Sequence, residues 1–312
     1  MNAQWFERML QRYPHELWLG DAAEIRAARV RKQKTDSRDA LHILDLLLAN
    51  RFPRIWIPSL ADRDVRQFVR HRHKLVWVRP SVMNQLHALA IGPGLCRKQK
   101  LWSSAGRKEL DALLLDPSAH RRRQDLLQML DQLNPRIVEL DRAMLQEAQR
   151  RPEAMQLTSE SGVGPVTALA VVLTSRPAGR FPRSKQVVSY LGLNAIDESS
   201  GGKQRLGSIS RQGNAMLRHL LVEAAQTASK LNPELRRDDQ RLKFRRGSGV
   251  AEAAIARKLA VRLYWKLREA TQPSTAAHMQ GSPVNPVVDE SPSPGALPPL
   301  AAVRGSSEKV MV

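Results

Sequence analysis

Apolar residues recur at helical spacing along most of the chain, so the sequence predicts a mainly α-helical protein. A first amphipathic helix is predicted around residues 5–10, and a second from about Ser37 to Asn50. The short apolar run at residues 16–19 and the proline-bounded segment 53–58 are typical of strands. This alternation of helices and strands predicts an α/β part within residues 1–60.

A coiled-coil pattern marks the middle of the chain, residues 61–150. In its second half, large apolar residues recur at alternating steps of four and three: Leu126, Leu130, Leu133, Ile137, Leu140 and Met144. Pro135 interrupts this run, so we expect the helix to kink there or to restart with Asn134 as its N-cap. The two helical halves flank a basic insert, which predicts a helical hairpin that packs either on itself or on a second copy of the chain.

Residues 151–270 carry further helical patterns and predict a second globular unit. From residue 271 to 312 the chain is rich in Pro, Ser and Gly and has no apolar period, which predicts a disordered tail.

Charge is the main compositional signal. The 312 residues contain 50 Lys and Arg against 30 Asp and Glu, a formal net charge of +20. Such an excess predicts a polyanionic partner, most commonly nucleic acid, with an anionic membrane surface as the competing interpretation. No apolar run is long enough to span a bilayer and no signal peptide is evident. The single cysteine, Cys96, excludes an intramolecular disulfide framework, so we expect an intracellular protein.

Gly162-Val-Gly-Pro-Val-Thr-Ala168 opens an apolar helix. Gly162 and Gly164 would let free backbone N–H groups face an anion at the helix N-terminus. The pattern matches a helix-hairpin-helix motif that holds a DNA phosphate without reading bases; a tight turn before a core helix is the alternative.

Two carboxylates, Asp36 and Asp39, lie at the start of the helix predicted from Ser37. Their i, i+3 spacing places both on one side of the helix, as half of a divalent-metal site would require. Simple capping of the helix N-terminus explains the same residues.

A loop between Tyr190 and Asn214 combines hydroxyls, glycines and positive charge. Ser199 or Ser200 is a candidate nucleophile toward a phosphodiester. Candidate nucleic-acid contacts are Lys203, Arg205, Arg211, Asn214 and Arg218. A polar, solvated surface loop is the alternative.

Together these motifs resemble the insertion-sequence one-ten family of transposases. The resemblance spans roughly residues 5–270 and rests on four ordered segments: Lys34-Thr-Asp-Ser-Arg-Asp-Ala40, Gly162-Val-Gly-Pro-Val-Thr-Ala168, Gln186-Val-Val-Ser-Tyr-Leu-Gly-Leu193, and Ser199-Ser-Gly-Gly through Leu217-Arg218.

The resemblance implies a fold and a reaction. Residues 1–60 would be part of an RNase H-like (RuvC-like) domain whose DEDD acids bind Mg²⁺, with Asp36 and Asp39 matching the last two acids. Residues 61–150 would be the coiled coil, and residues 151–270 a transposase domain with a serine nucleophile, best matched by Ser200 and next by Ser199. The implied partners are DNA, a structured guide RNA and further subunits in a dimer or tetramer, in the bacterial cytoplasm at the nucleoid.

One departure from the family bears on activity. The first Asp and the Glu of the acidic set find no counterpart, and Asp21 and Glu24 lie in the wrong element to replace them. We therefore expect an N-terminally truncated copy that does not cleave DNA with Mg²⁺ unless the upstream segment is restored. The alternative is a non-catalytic DNA- or RNA-binding remnant.

Overall fold

The computed structural model of the protein describes residues 3–10, 12–14, 16–29, 35–96, 101–199, 203 and 205–271. This part of the chain is mainly helical, with one two-stranded sheet, which confirms the predicted predominance of helix. The described residues divide into two compact units, one ending at Ser59 and one beginning at Leu60. None of the described helices is both long enough and apolar enough to cross a bilayer.

The described residues of the first unit form the helices α1 (Ala3–Leu10), α2 (Ala22–Ala27) and α3 (Asp36–Leu48). The α2 helix begins where the Asp21 carboxylate accepts hydrogen bonds from the next turn's N–H groups. Among the described residues of this unit, the two predicted strands meet only as an isolated antiparallel bridge between Gly20 and Arg54. The α2 helix ends at Ala27, and residues 30–34 lie outside the described part.

The second unit begins with a helical hairpin made of α4 (Leu60–Ile91), α5 (Ser104–Asp111) and α6 (Pro117–Gln149). The α4 and α6 helices run antiparallel, because Arg72 Nε lies 2.7 Å from Asp141 Oδ1 while the distal halves share one core. That core consists of Val82, Leu86, Ala90, Leu101, Leu110, Leu126, Leu127, Leu130 and Leu133. The heptad-like seam is therefore used for packing within one chain.

Of the two outcomes expected at Pro135, a restart with Asn134 as N-cap does not occur, because α6 continues through the proline without interruption. A proline inside a helix costs about 3 kcal/mol through its missing N–H and its steric clash. Leu133 and Ile137 are buried on either side of Pro135, and burying such side chains contributes about 1.5–3 kcal/mol each. Packing on both sides of the proline outweighs the local penalty.

The remainder of the second unit surrounds a central helix. Its elements are α7 (Pro152–Leu157), α8 (Pro165–Ser175), α9 (Ser184–Tyr190), β1 (Ala195–Asp197), β2 (Leu206–Ile209), α10 (Ala215–Leu231), α11 (Pro233–Arg246) and α12 (Ser248–Thr271). Every α8 residue from Thr167 to Ser175 is buried, as expected of a helix that is apolar on all sides. The α12 helix closes the core, and its Tyr264 hydroxyl donates to the Phe181 carbonyl at 2.6 Å.

Candidate catalytic loop and nucleic-acid interface

The serine-rich segment forms the connection of a two-stranded hairpin. Strand β1 pairs antiparallel with β2, with Ala195 opposite Ile209 and Asp197 opposite Leu206. The pairing extends one step further, because the Glu198 N–H donates to the Arg205 carbonyl at 2.8 Å. Ser200, Gly201, Gly202 and Gln204 belong to this connection but lie outside the described residues.

Ser199 forms hydrogen bonds with residues on both sides of the hairpin connection. Its hydroxyl donates to Asp197 Oδ1, and its N–H donates to the same oxygen at 3.0 Å. Its Oγ also accepts the Arg205 N–H at 3.0 Å. The hydroxyl and then the backbone hydrogen bond of Ser199 lower the pKa of the Asp197 carboxyl. Asp197 therefore stays ionised at neutral pH and fixes Ser199 as part of the turn.

Two glycines, Gly192 and Gly213, fix the base of this hairpin; we call them the glycine clasp. Both have left-handed backbone conformations, with φ of +66° and +83°. A Cβ on Gly192 would lie 1.9 Å from the Gln212 carbonyl oxygen, and one on Gly213 would lie 2.0 Å from the Tyr190 carbonyl oxygen. The two ends of the motif thus touch backbone to backbone, which a side chain at either glycine would prevent.

The basic residues of the motif fall into two groups. Arg218 is half-buried and its Nη1 donates to the carbonyls of Leu191 and Gln212, at 3.0 and 3.1 Å. Asn214 caps α10, because its side-chain oxygen accepts the Leu217 N–H at 3.1 Å. These two residues hold the clasp and the helix start together. By contrast, the side chains exposed to solvent are those of Lys203, Arg205 and Arg211.

The two glycines of Gly162-Val-Gly164 have different surroundings. Gly162 has φ +83°, and a Cβ there would lie 2.4 Å from the Ala224 carbonyl oxygen and 2.6 Å from the Ala228 nitrogen of α10. Gly162 therefore lets the α7–α8 turn contact the α10 backbone. Gly164 is the exposed N-cap of α8 and has no atom within 4 Å of its Cβ position. Only Gly164 leaves space for a ligand at the helix N-terminus.

A cavity of about 370 Å³ opens beside the start of α10. Its lining includes Arg66 and Arg70 of α4, Tyr190 of α9, and Asn214. Arg66 donates through Nε and Nη2 to the Leu173 carbonyl, and burial is the main cause that lowers its pKa. The sequence motifs did not point to this cavity, because Arg66 and Arg70 lie more than 100 residues before the loop that they approach.

Asp36 and Asp39 lie in the first turn of α3, after the N-cap Thr35. Asp36 is exposed, whereas Asp39 Oδ1 lies 2.5 Å from Arg29 Nη2. Carboxylate oxygens suit Mg²⁺. Within the described ranges, however, no three His, Cys, Asp or Glu side chains come together as a metal cluster. These two acids can supply part of a ligand set and do not form a complete magnesium site.

Sequence reasoning also missed Asp197, which organises the serine turn. An Asp two residues before a Ser is a recognisable signal, because Asp side chains commonly bond the backbone N–H two residues on. In the basic run Arg121-Arg-Arg123, Arg123 is only 5% exposed. Its Nη1 donates to the Leu110 carbonyl at 2.8 Å and supports the connection before α6.

Two family models match the chain. Residues 154–240 match the "Transposase IS116/IS110/IS902 family", and residues 19–90 match the DEDD transposase model of IS110. The first match contains the serine hairpin and the glycine clasp, and the second contains Asp36 and Asp39. The chain therefore carries transposase domains of the IS110/IS116 family, which confirms the resemblance drawn from the motifs.

Curated relatives agree with this assignment. A "Probable family 20 transposase" of Pseudomonas aeruginosa is 28% identical over 281 residues, covering 85% of this chain and 81% of that protein. The "Transposase for insertion sequence element IS1111A" of Coxiella burnetii is 27% identical over 206 residues, covering 63% of this chain and 55% of that protein. Similarity extends over most of the chain but leaves most positions changed.

Proposed function

We propose that this transposase cleaves and rejoins DNA strands, with Ser200 as the nucleophile. The observation that carries the proposal is the hairpin itself. Its base is locked by the glycine clasp, and its connection carries the Ser-Ser-Gly-Gly segment among exposed cations. A rigid base positions a reactive group, while adjacent glycines let a DNA backbone approach closely.

Ser200 is preferred over Ser199 because of the contacts that Ser199 makes. The Ser199 hydroxyl donates to Asp197 and accepts from the Arg205 N–H, so both of its hydrogen-bonding roles serve the turn. Attack by Ser199 would require the hairpin to give up both bonds. We therefore assign Ser199 and Asp197 as positioning residues for the neighbouring serine.

The proposed chemistry is a transesterification in each direction. The Ser200 hydroxyl oxygen forms a bond to the DNA phosphorus, the bond from phosphorus to one deoxyribose oxygen breaks, and that oxygen receives a proton. The resulting link is of the 5′-phosphoserine type. A strand hydroxyl then attacks the same phosphorus and returns the proton to Ser200. Positive charge close to the phosphate stabilises both transition states.

Lys203, Arg205 and Arg211 are proposed to neutralise the DNA phosphates, since all three are exposed on the hairpin or its base. Arg218 and Asn214 are proposed to act indirectly, by holding the clasp and capping α10. The helix-hairpin-helix role falls to Gly164, whose open position leaves space for a phosphate at the N-terminus of α8. Gly162 allows that turn to pack against the backbone of α10.

For the acidic site, Asp36 and Asp39 are proposed to be two ligands of an RNase H-like magnesium centre. Bound Mg²⁺ would supply charge neutralisation at the phosphate that is cleaved. Of this chain's residues, α3 presents the two carboxylates, and Arg29 forms an ion pair with Asp39.

The domain organisation follows the family: an RNase H-like part in residues 1–60, the α4–α6 hairpin in 61–150 and the serine domain in 151–270. The expected tail, 271–312, lies almost wholly outside the described residues. Self-association as a dimer or tetramer is proposed through the outer faces of the hairpin, which expose Trp77, Met129 and Val138. DNA and a structured guide RNA are the proposed partners, in the cytoplasm at the nucleoid.

The test is a search for covalent protein–DNA adducts with end-labelled DNA and Mg²⁺. It compares the 312-residue chain with the same chain joined to a segment that supplies the family's other two acids. We expect an adduct in the second case, lost in Ser200→Ala and retained in Ser199→Ala at a reduced level. An adduct that survives the double variant would rule out serine chemistry.

The alternative function, a non-catalytic DNA- or RNA-binding protein, is favoured by the incomplete set of acids in the described part of the chain. Salt-sensitive DNA binding without an adduct in either protein would support it.

A further inference from the structure

The outer face of α11 presents an unusual combination of side chains. Leu235 and Asp239 are buried against the rest of the bundle. On the opposite side, Arg237, Arg241 and Phe244 follow at i, i+4 and i+7, so they share one solvent-facing stripe. We call this stripe, together with the adjacent Arg245 and Arg246, the Phe244 face.

Phe244 itself is 95% exposed. Phenylalanine is among the residues most often buried, so a ring at this outward position is unusual. The helix ends two residues later, at Arg246, where Gly247 with φ +85° is the C-cap. The ring therefore stands at an open corner between α11 and α12, accessible to a ligand.

The charge around Phe244 is only partly neutralised within the protein. Arg241 pairs with Asp238 at 3.1 Å, and Lys243 pairs with Asp239 at 2.7 Å. Asp238 also forms an ion pair with Lys258 of α12. In the part of the chain that the structure describes, no ion pair involves the remaining three cations, Arg237, Arg245 and Arg246. The face is thus suited to a polyanion.

We propose that the Phe244 face binds an unpaired nucleic-acid strand, with one base stacked on the Phe244 ring and phosphates beside Arg237, Arg245 and Arg246. Proteins that bind single strands combine a basic surface with exposed aromatic rings, because every base has a face that can stack on such a ring. A duplex keeps its bases stacked internally and could offer this face only phosphates. The inference rests on the proposed function as a nucleic-acid enzyme and adds a second site to it.

Phe244 lies outside the segment that matches the family model, which ends at residue 240. The Phe244 face is also separate from the serine hairpin in sequence, because the whole of α10 lies between them. It would act as a second point of attachment for a strand.

The experiment measures binding of the full 312-residue chain by fluorescence anisotropy. The probes are a short oligothymidine, the matching oligouridine, an abasic oligonucleotide of equal length and a DNA duplex. Phe244→Ala should weaken binding of both base-bearing single strands by about 5- to 150-fold, the range that loss of one stacked base produces. Binding of the abasic strand and of the duplex should stay unchanged.

Two controls separate stacking from other effects. Phe244→Tyr should bind like the parent chain, whereas Phe244→Leu should behave like Phe244→Ala, because leucine keeps apolar bulk without a π face. Leu114→Ala, which removes an equally exposed apolar side chain (96%), should change no affinity. Comparison of the thymidine and uridine strands shows whether DNA or RNA is preferred.

Equal weakening of abasic and base-bearing strands would overturn the proposal, as would unchanged binding in Phe244→Ala. A change in self-association caused by Phe244→Ala, with single-strand affinity unchanged, would instead identify a protein interface and also overturn it. Failure of the proposed function looks different: no covalent protein–DNA adduct would form, whatever the Phe244 variants do to single-strand affinity.

Discussion

Replacement of Gly162 by alanine tests how the α7–α8 turn is held against α10. Gly162 has φ +83°, and its new Cβ would lie 2.4 Å from the Ala224 carbonyl oxygen and 2.6 Å from the Ala228 nitrogen. Both of these atoms belong to the backbone of a buried helix, so neither can rotate away. Gly162→Ala should therefore force the turn and α10 apart.

The expected magnitude follows from two penalties. An L-residue in the left-handed conformation costs about 1–2 kcal/mol, and overpacking costs about 1–3 kcal/mol. Their sum, about 2–5 kcal/mol, corresponds to a fall of about 4–20 °C in the melting temperature of a unit of this size.

The matched control is Gly164→Ala, two residues further on. Gly164 has no positive φ and no neighbour within 4 Å of its Cβ position. Its replacement should cost no more than about 1 kcal/mol, the usual effect at an N-cap. Differential scanning calorimetry of both variants gives the comparison. Equal melting temperatures for the two would show that Gly162 is not pressed against α10.

Two further predictions concern protons and metal. Burial, with His219 and Arg72 as smaller causes, lowers the pKa of His73. The unfolded chain therefore binds the proton more readily, and stability should fall as the pH drops through about 6.5. The difference between the melting temperatures at pH 7.5 and 5.5 should be smaller in His73→Phe, and an unchanged difference would contradict this. Mg²⁺ should not raise the melting temperature of the 312-residue chain. Among the described acids, Asp36 has only Asp39 beside it, and Asp39 is already paired with Arg29. A rise that is lost in Asp36→Asn would show that further ligands complete the site.

The sequence predicted the long helices well because their signals are repeated. Leu126, Leu130 and Leu133 recur at steps of four and three, and all three are buried in the α4–α6 core. The same pattern could not decide between packing within a chain and packing between chains, since both bury the same seam. The helical restart allowed for at Pro135 does not occur, because tertiary packing that only the fold reveals offsets the local penalty of the proline.

The candidate site was predicted by residue type but not by role. Gly162 and Gly164 look alike in sequence, yet one contacts the α10 backbone and the other is open. Arg218 looked like its neighbours Arg205 and Arg211, but it donates to two carbonyls instead of facing solvent. Such differences depend on residues that are distant in sequence, so no local pattern could reveal them.

The central claim, that the serine hairpin holds DNA phosphates, is tested most directly by the salt dependence of duplex binding. Each phosphate contact adds about 0.9 to the slope of log K against log salt concentration. Replacement of Lys203, Arg205 and Arg211 by alanine should therefore weaken binding and lower that slope by up to about 2.7. A variant that lacks three exposed α6 arginines, Arg122, Arg136 and Arg142, has the same net charge and should keep a steeper slope. A flat salt response of the parent chain, or equal losses in the two variants, would contradict the account.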